Sequence, residues 1–148
     1  MYPYVFALHL LAATVWTGGH LVLAFTVLPR ALRQRSPQAL LDFEQGYEHV
    51  GMPALLIQVA TGLWMALQLV PDWGQWFSPD APLERAVSLK LALLATTLLV
   101  AAHARLRVIP TLSARTLPLM AWHVAAVTLL SVGFVLTGIA FRYGGLGM

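Results

Sequence analysis

Cysteine is absent from this sequence and charged residues are scarce, and each shortage excludes a class of protein. Without cysteine, disulfides, thiolate metal ligands and cysteine nucleophiles are excluded. Only 10% of the residues are charged and 59% are hydrophobic, whereas a soluble domain carries about 25% charged residues. The charges are too few to cover a surface that faces water. The composition therefore predicts a protein whose solvent is lipid.

Common catalytic motifs are also missing. The chain has no phosphate-binding loop, no HExxH motif and no recognisable set of a nucleophile with its base, which argues against hydrolysis and phosphoryl transfer. The net charge of +3 could suggest a nucleic-acid partner. The basic residues, however, lie in short loops and form no cluster with aromatic residues, so we expect no nucleic acid to bind.

Four apolar runs are long enough to cross a bilayer, which takes roughly 20 residues in a helix. They cover residues 4–28, 50–70, 86–108 and 118–141. Proline residues mark most of their ends. The sequence contains no repeat, linker or low-complexity tract. We therefore predict an all-α, integral membrane four-helix bundle that forms a single transmembrane domain over residues 1–148.

The loop charges predict how the bundle is oriented. The first and third loops hold most of the basic residues: Arg30, Arg33, Arg35, Arg105, Arg107 and Arg115. The positive-inside rule then places these loops in the cytoplasm and both termini in the periplasm. Within the first loop, Ser36 and Pro37 resemble a helix start, and apolar residues follow. We predict a short amphipathic helix here that runs into the second span with a kink near Pro53.

The functional signal comes from histidine. Every span has a histidine within it or at its edge: His9, His20, His49, His103 and His123. Polar groups in the hydrocarbon zone are costly and usually mark a site. At about 1.5 Å of rise per residue, the last four lie in the cytoplasmic half of the membrane. His9 is the exception, because it lies near the outer end of the first span.

Two cofactors suit this arrangement. Haem b takes one or two axial imidazoles from facing helices, and long apolar spans can wall the macrocycle. Copper accepts imidazole and thioether ligands, which would add Met52 and Met120 to the histidines. Trp16 falls on the same helical stripe as His9 and His20, and Gly19 beside it permits close approach of a flat ligand or another helix.

Plainer explanations compete with these. A single histidine in a span can serve only as a hydrogen-bonding link between helices, and methionine is ordinary apolar filler. Lys90, close to the outer interface, can extend its ammonium group to water. Alternatively, Lys90 lines a pocket, where it binds an anionic group or takes part in proton transfer. His9 and Lys90 are expected at a similar depth and are the candidate catalytic residues.

Two segments resemble a known family. The run HLLAATVWTGG from His9 to Gly19, followed by Leu28 and Pro29, resembles the opening of the CopD membrane proteins. The run LKLAL around Lys90 resembles a later helix of that family, and the related HemJ proteins are similar in size and helix number. The resemblance implies copper uptake or copper tolerance in the CopD case. In the HemJ case it implies haem b and the oxidation of protoporphyrinogen IX, with His9 and Lys90 at the shared positions.

The leading hypothesis from the sequence is a haem b membrane protein with an electron-transfer or small-molecule redox role, which leaves open a haem-dependent oxidoreductase. Its expected haem ligands, for one or two haems, are His20, His49, His103 and His123. Similar depth suggests His20 with His103 and His49 with His123 as pairs, but the sequence alone does not determine the pairing. Copper handling by the same histidines, with Met52 and Met120, is the alternative, and protoporphyrinogen oxidation is a second one. The expected location is the bacterial inner membrane, with a quinone or a periplasmic protein as redox partner, and assembly into a homo-oligomer is left open.

Overall fold

Four long helices form the protein, seen here in a computed structural model that describes residues 1–77 and 80–143, except for the side chains of Phe141 and Arg142. Helix α1 covers Tyr2–Gln34, α2 covers Gln38–Leu69, α3 covers Pro82–Thr111 and α4 covers Leu117–Arg142. A short 3₁₀ turn, Trp73–Trp76, lies between α2 and α3. The described ranges contain no strand, so the predicted all-α class is confirmed.

Each of these helices is long and apolar enough to cross a membrane. A helix of this kind must hide its backbone polar groups in its own hydrogen bonds, and a regular helix does so completely. Large apolar side chains also remain exposed on the outside of the bundle, as with Phe25, Leu99, Trp122 and Leu129, each more than 70% exposed. Such a surface would be unfavourable in water, whereas hydrocarbon solvates it without cost.

Helix α1 continues past the end predicted at Leu28. A π-helical turn, Leu23–Val27, is followed by a further α-helical segment, Leu28–Gln34. Pro29 lies in the first turn of that segment, where a missing backbone N–H disrupts little hydrogen bonding. The helix then ends at Arg35, which adopts a left-handed conformation with φ of 49°.

The short helix predicted in the first loop is part of α2. Pro37 occupies the N-cap position without a side-chain cap, and the backbone N–H of Gln38 donates to the Ser36 hydroxyl over 3.4 Å. From there a single helix runs without a break to Leu69, with Pro53 inside it. Helix α3 also extends beyond its predicted span at both ends, and it contains a second π-helical turn, Ala104–Val108.

The helices pack as two pairs. Helix α1 makes its most extensive contacts with α2, and α3 with α4, while α1 and α4 join the two pairs. The end of the bundle that carries the first and third loops is called the arginine-rich end. The largest core cluster lies toward this end and contains residues of all four helices: Leu28, Ala31, Leu40, Val108, Leu117, Met120 and Val124. A smaller cluster around Trp76 holds the opposite end, where the Trp76 indole donates to the Val70 carbonyl over 2.8 Å. Between these ends the pairs leave internal space.

Candidate functional site

Two cavities lie on either side of Trp16. The inner cavity, toward the arginine-rich end, has a volume of about 160 Å³. The outer cavity has a volume of about 550 Å³. Trp16 lines both and is itself 7% exposed, so its indole forms the wall between them. The difference in size matters, because an organic ligand needs a pocket of about 300–1,000 Å³ and a metal ion needs far less.

His20 faces the inner cavity with a defined tautomer. Its Nδ1 lies 2.8 Å from the carbonyl oxygen of Trp16, one turn earlier in α1. A carbonyl oxygen only accepts, so Nδ1 carries the proton and donates it. The neutral ring then keeps a lone pair on Nε2, which is the atom that coordinates a metal. In metal-binding histidines the ring nitrogen that does not bind the metal usually donates to a carbonyl or carboxylate, as Nδ1 does here.

Tyr47 joins α2 to α1 beside His20. Its hydroxyl donates to the carbonyl of Val15 over 2.8 Å, and its ring meets the His20 ring edge-on at 6.1 Å. The ring fits because two glycines face it. A Cβ at Gly19 would overlap the ring, and a Cβ at Gly51 would lie 2.5 Å from its Cε1. Gly19, expected to admit a flat ligand or a helix, therefore admits this tyrosine.

His103 and His123 form a direct pair between α3 and α4. His103 Nδ1 and His123 Nε2 are 2.8 Å apart, and the rings are nearly parallel at 5.0 Å. His123 Nδ1 donates to the carbonyl of Leu119 over 2.8 Å, so its Nε2 must accept the hydrogen from His103. The separation is too short for a metal ion between these two nitrogens, since each bond to a metal takes about 2 Å.

The inner cavity is also lined by two thioether side chains and by charged side chains. Met52 of α2 and the buried Met120 of α4 line it together with His20 and His123. Glu44 and Glu48 lie in the same wall and form ion pairs with Arg105, at 2.6 and 2.5 Å. The carboxylates and Arg105 are 30–50% exposed and leave one negative charge in excess. The excess negative charge favours a cation over an anion at this wall.

The outer cavity holds a second polar set. His9 Nδ1 lies 2.9 Å from the Thr61 hydroxyl, which already donates to the Ile57 carbonyl over 2.6 Å. A hydroxyl has a single hydrogen, so His9 donates from Nδ1 and keeps a lone pair on Nε2. Gly62 makes room for this ring, because a Cβ there would lie 3.2 Å from His9 Cε1.

Lys90 and Gln58 line the same outer cavity. The Lys90 ammonium lies next to Gly138 of α4, where an added Cβ would be 3.7 Å from Nζ. Gln58 Oε1 is buried and has no hydrogen-bond partner among the described residues. His9 and Lys90 thus line one and the same cavity.

The predicted candidates are therefore divided between the two cavities and positions outside them. His20, His123, Trp16, Met52 and Met120 line the inner cavity. His9 and Lys90 line the outer one. In the part of the chain that the structure describes, His49 lines neither cavity; its ring is exposed and donates to the Gln45 carbonyl of its own helix. Among the described residues His103 does not line the inner cavity and contacts one of its lining residues, His123, so the hydrogen bond pairs His103 with His123 and not with His20.

Four residues at these cavities were not predicted as site residues from the sequence: Tyr47, Gln58 and the two glutamates Glu44 and Glu48. The glutamates repeat at a spacing of four residues before the second apolar run, which places both on one helix face, and this signal could have found them. Gln58 could have been noticed as an amide inside an apolar run. Among the described residues no group of three or more histidine, aspartate or glutamate side chains is close enough to hold a metal, so the thioethers are needed for a larger set.

Together these features define a multi-pass helical membrane protein with imidazole and thioether groups around an internal cavity. The family model of copper resistance protein D, CopD, matches residues 41–141. The match covers more than half of the chain, so the protein belongs to the CopD family. No curated protein and no solved structure matched the chain.

Proposed function

We propose that this protein handles copper in the membrane, in uptake or in resistance, and that the inner cavity receives the copper ion. The main observation in support is that one cavity of about 160 Å³ in this CopD-family chain is lined by His20, His123, Met52 and Met120. Imidazole suits copper, and thioether sulfur favours Cu(I) over harder ions. With no cysteine in the chain, methionine is the sole source of a soft sulfur ligand.

His20 is the best-prepared ligand of the set. Its Nε2 lone pair is available in the tautomer that the Trp16 carbonyl imposes. His123 joins a copper ion only when its Nε2 gives up the hydrogen bond from His103. In such a site one ligand can bind copper at once, whereas the other must first break a hydrogen bond. This suits transport better than permanent storage, because copper binds weakly enough to dissociate again.

The orientation of the bundle belongs to the same proposal. We propose that the arginine-rich loops face the cytoplasm of a bacterial inner membrane, which would put the inner cavity near the cytoplasm and both termini in the periplasm. The start of α2, around Glu44 and Glu48, then lies at the cytoplasmic surface as an amphipathic segment. Copper would pass between this entrance and the inner cavity.

The test is Cu(I) binding to the purified protein in lipid nanodiscs, measured by competition with a chromogenic Cu(I) chelator. We expect His20→Ala and Met120→Leu to weaken binding about tenfold or more each, since each removes a ligand. His49→Ala and Met65→Leu are the matched controls, because neither residue lines the inner cavity among the described residues. Equal affinity of the His20 variant and the native protein would refute the site.

Haem b is the second candidate, in an electron-transfer or small-molecule oxidation role. The observation that favours it is His9, whose Nε2 lone pair is available beside a cavity of about 550 Å³. One axial bond from His9, with Lys90 near a propionate, would fit the residues present. The inner cavity is too small for a macrocycle, so its histidines do not favour a second haem. When bound, haem would supply one-electron chemistry.

An absorption spectrum of the solubilised protein, oxidised and then reduced with dithionite, separates the candidates. A Soret band that His9→Ala removes, with bound iron, would support the haem role and open protoporphyrinogen IX as a substrate to direct assay. Bound copper without a Soret band would support the copper proposal.

A further inference from the structure

The outer cavity has the walls of a site for a lipid-soluble organic molecule. Its lining is mainly apolar and comes from all four helices. Phe6 and Leu10 of α1 and Val135 and Ile139 of α4 line the cavity and are also 44–50% exposed on the outside of the bundle. The cavity therefore reaches a surface that hydrocarbon would cover. A ligand dissolved in the bilayer can enter sideways, without passing through water.

The polar groups in this cavity include both hydrogen-bond acceptors and hydrogen-bond donors. His9 Nε2 and Gln58 Oε1 are hydrogen-bond acceptors, and the oxygen of Gln58 is buried without a donor in the described part of the chain. A buried acceptor without a donor costs free energy until something supplies the hydrogen. Lys90 contributes N–H donors from α3. A complementary ligand needs at least one hydroxyl that donates and an oxygen that accepts.

We propose that the outer cavity binds a lipid-soluble aromatic diol of the quinol class, with a quinol hydroxyl donating to Gln58 or His9 and a quinol oxygen accepting from Lys90. The ring would occupy the apolar volume next to the Trp16 wall. Haem satisfies this set less well, because its propionates are acceptors and bring no hydrogen to Gln58. The site is separate from the inner cavity and does not depend on the copper proposal.

Binding is tested on the purified protein in nanodiscs with trimethylhydroquinone, kept anaerobic, and with its dimethyl ether. The two molecules share a ring, but the ether has no hydrogen to donate. We expect the diol to bind about tenfold more tightly, the worth of one hydrogen bond to a buried acceptor. Equal binding of the two, failure of the diol to bind, or haem filling the purified protein would overturn the proposal.

Gln58→Leu tests the amide, with Gln68→Leu as the matched control because Gln68 is exposed on the same helix and lines neither cavity among the described residues. We expect the first variant to lose most of the preference for the diol and the second to keep it. Gln58→Leu should also raise the unfolding temperature of the ligand-free protein, because the unpaired oxygen is gone. A fall in that temperature, or an unchanged preference, would contradict the proposal. Met120→Leu, which removes a copper ligand and does not line the outer cavity among the described residues, should leave diol binding unchanged, which separates this test from that of the copper site.

Discussion

At the scale of single residues, the histidines share one donor pattern. All five donate a hydrogen bond from Nδ1, to the Thr61 hydroxyl, to the His123 ring or to a carbonyl four residues earlier. A partner on Nδ1 fixes the tautomer and leaves the lone pair on Nε2. For His20, His49 and His123 the partner is in the same helix, so local structure alone prepares these rings. His9 and His103 depend on a neighbouring helix.

The glycines around Tyr47 provide a stability prediction. Gly19→Ala should lower the free energy of unfolding by about 1–3 kcal/mol, because the new Cβ overlaps the tyrosine ring. Gly18→Ala is the control one residue away, where nothing lies within 4 Å of the added Cβ. It should be neutral or stabilise by up to about 1 kcal/mol, since alanine favours the helix. Thermal unfolding in detergent measures both, and equal losses would contradict this packing.

At the scale of helices, the π-helical turn in α3 contains Arg105, which forms ion pairs with α2. Arg105 lies within Ala104–Val108 and pairs with Glu44 and Glu48, which are one turn apart on α2. Exposed ion pairs contribute little to stability, typically below about 1 kcal/mol. Their larger effect here is electrostatic, because they set the charge on one wall of the inner cavity, at the entrance proposed for copper.

Removal of that cation should speed copper entry. Arg105→Gln leaves two uncompensated carboxylates at the entrance, and we expect the association rate of copper to rise roughly two- to fivefold at low salt. The gain should shrink as ionic strength rises, because salt screens exposed charges. Stopped-flow copper binding measures the rate. The control is Arg107→Gln in the same turn, which does not line the cavity among the described residues. A rise that does not depend on salt would count against this explanation.

At the scale of the whole molecule, the two helix pairs create two chambers of different kinds. The arginine-rich end is closed by a core cluster from all four helices, so the space left beside it is small. Toward the other end, the pairs enclose a larger, mainly apolar chamber. Trp16 keeps the chambers apart. An ion site and a ligand site can therefore exist in one small bundle without sharing a residue that coordinates.

The predicted orientation can be tested directly because the chain has no cysteine. Single cysteines at Ser36 or Ser113 should react with an impermeant maleimide only from the cytoplasmic side. A cysteine at Gln75, between α2 and α3, should react from the periplasmic side. Labelling of right-side-out and inside-out vesicles measures the difference. The reverse pattern would place the inner cavity at the periplasmic face and invert the copper path.

The sequence by itself determined the membrane class, the four helices and the set of chemical groups. Long runs without charge suffice for this, because hydrocarbon tolerates a helix and little else. It also suggested His9 and Lys90 as a pair at similar depth, since rise along a helix is fixed, and both residues line the outer cavity. It did not determine the helix ends, because Pro29 is accommodated after a π-helical turn that no sequence pattern indicates.

Only the tertiary structure decided which groups meet. Periodicity shows which residues share a face of one helix, but it does not show how far each helix is rotated against its neighbours. In a membrane that rotation is hard to infer, because apolar residues face both the lipid and the core. The contact between His103 and His123, the position of Tyr47 against Gly19 and the unpaired oxygen of Gln58 all depend on it.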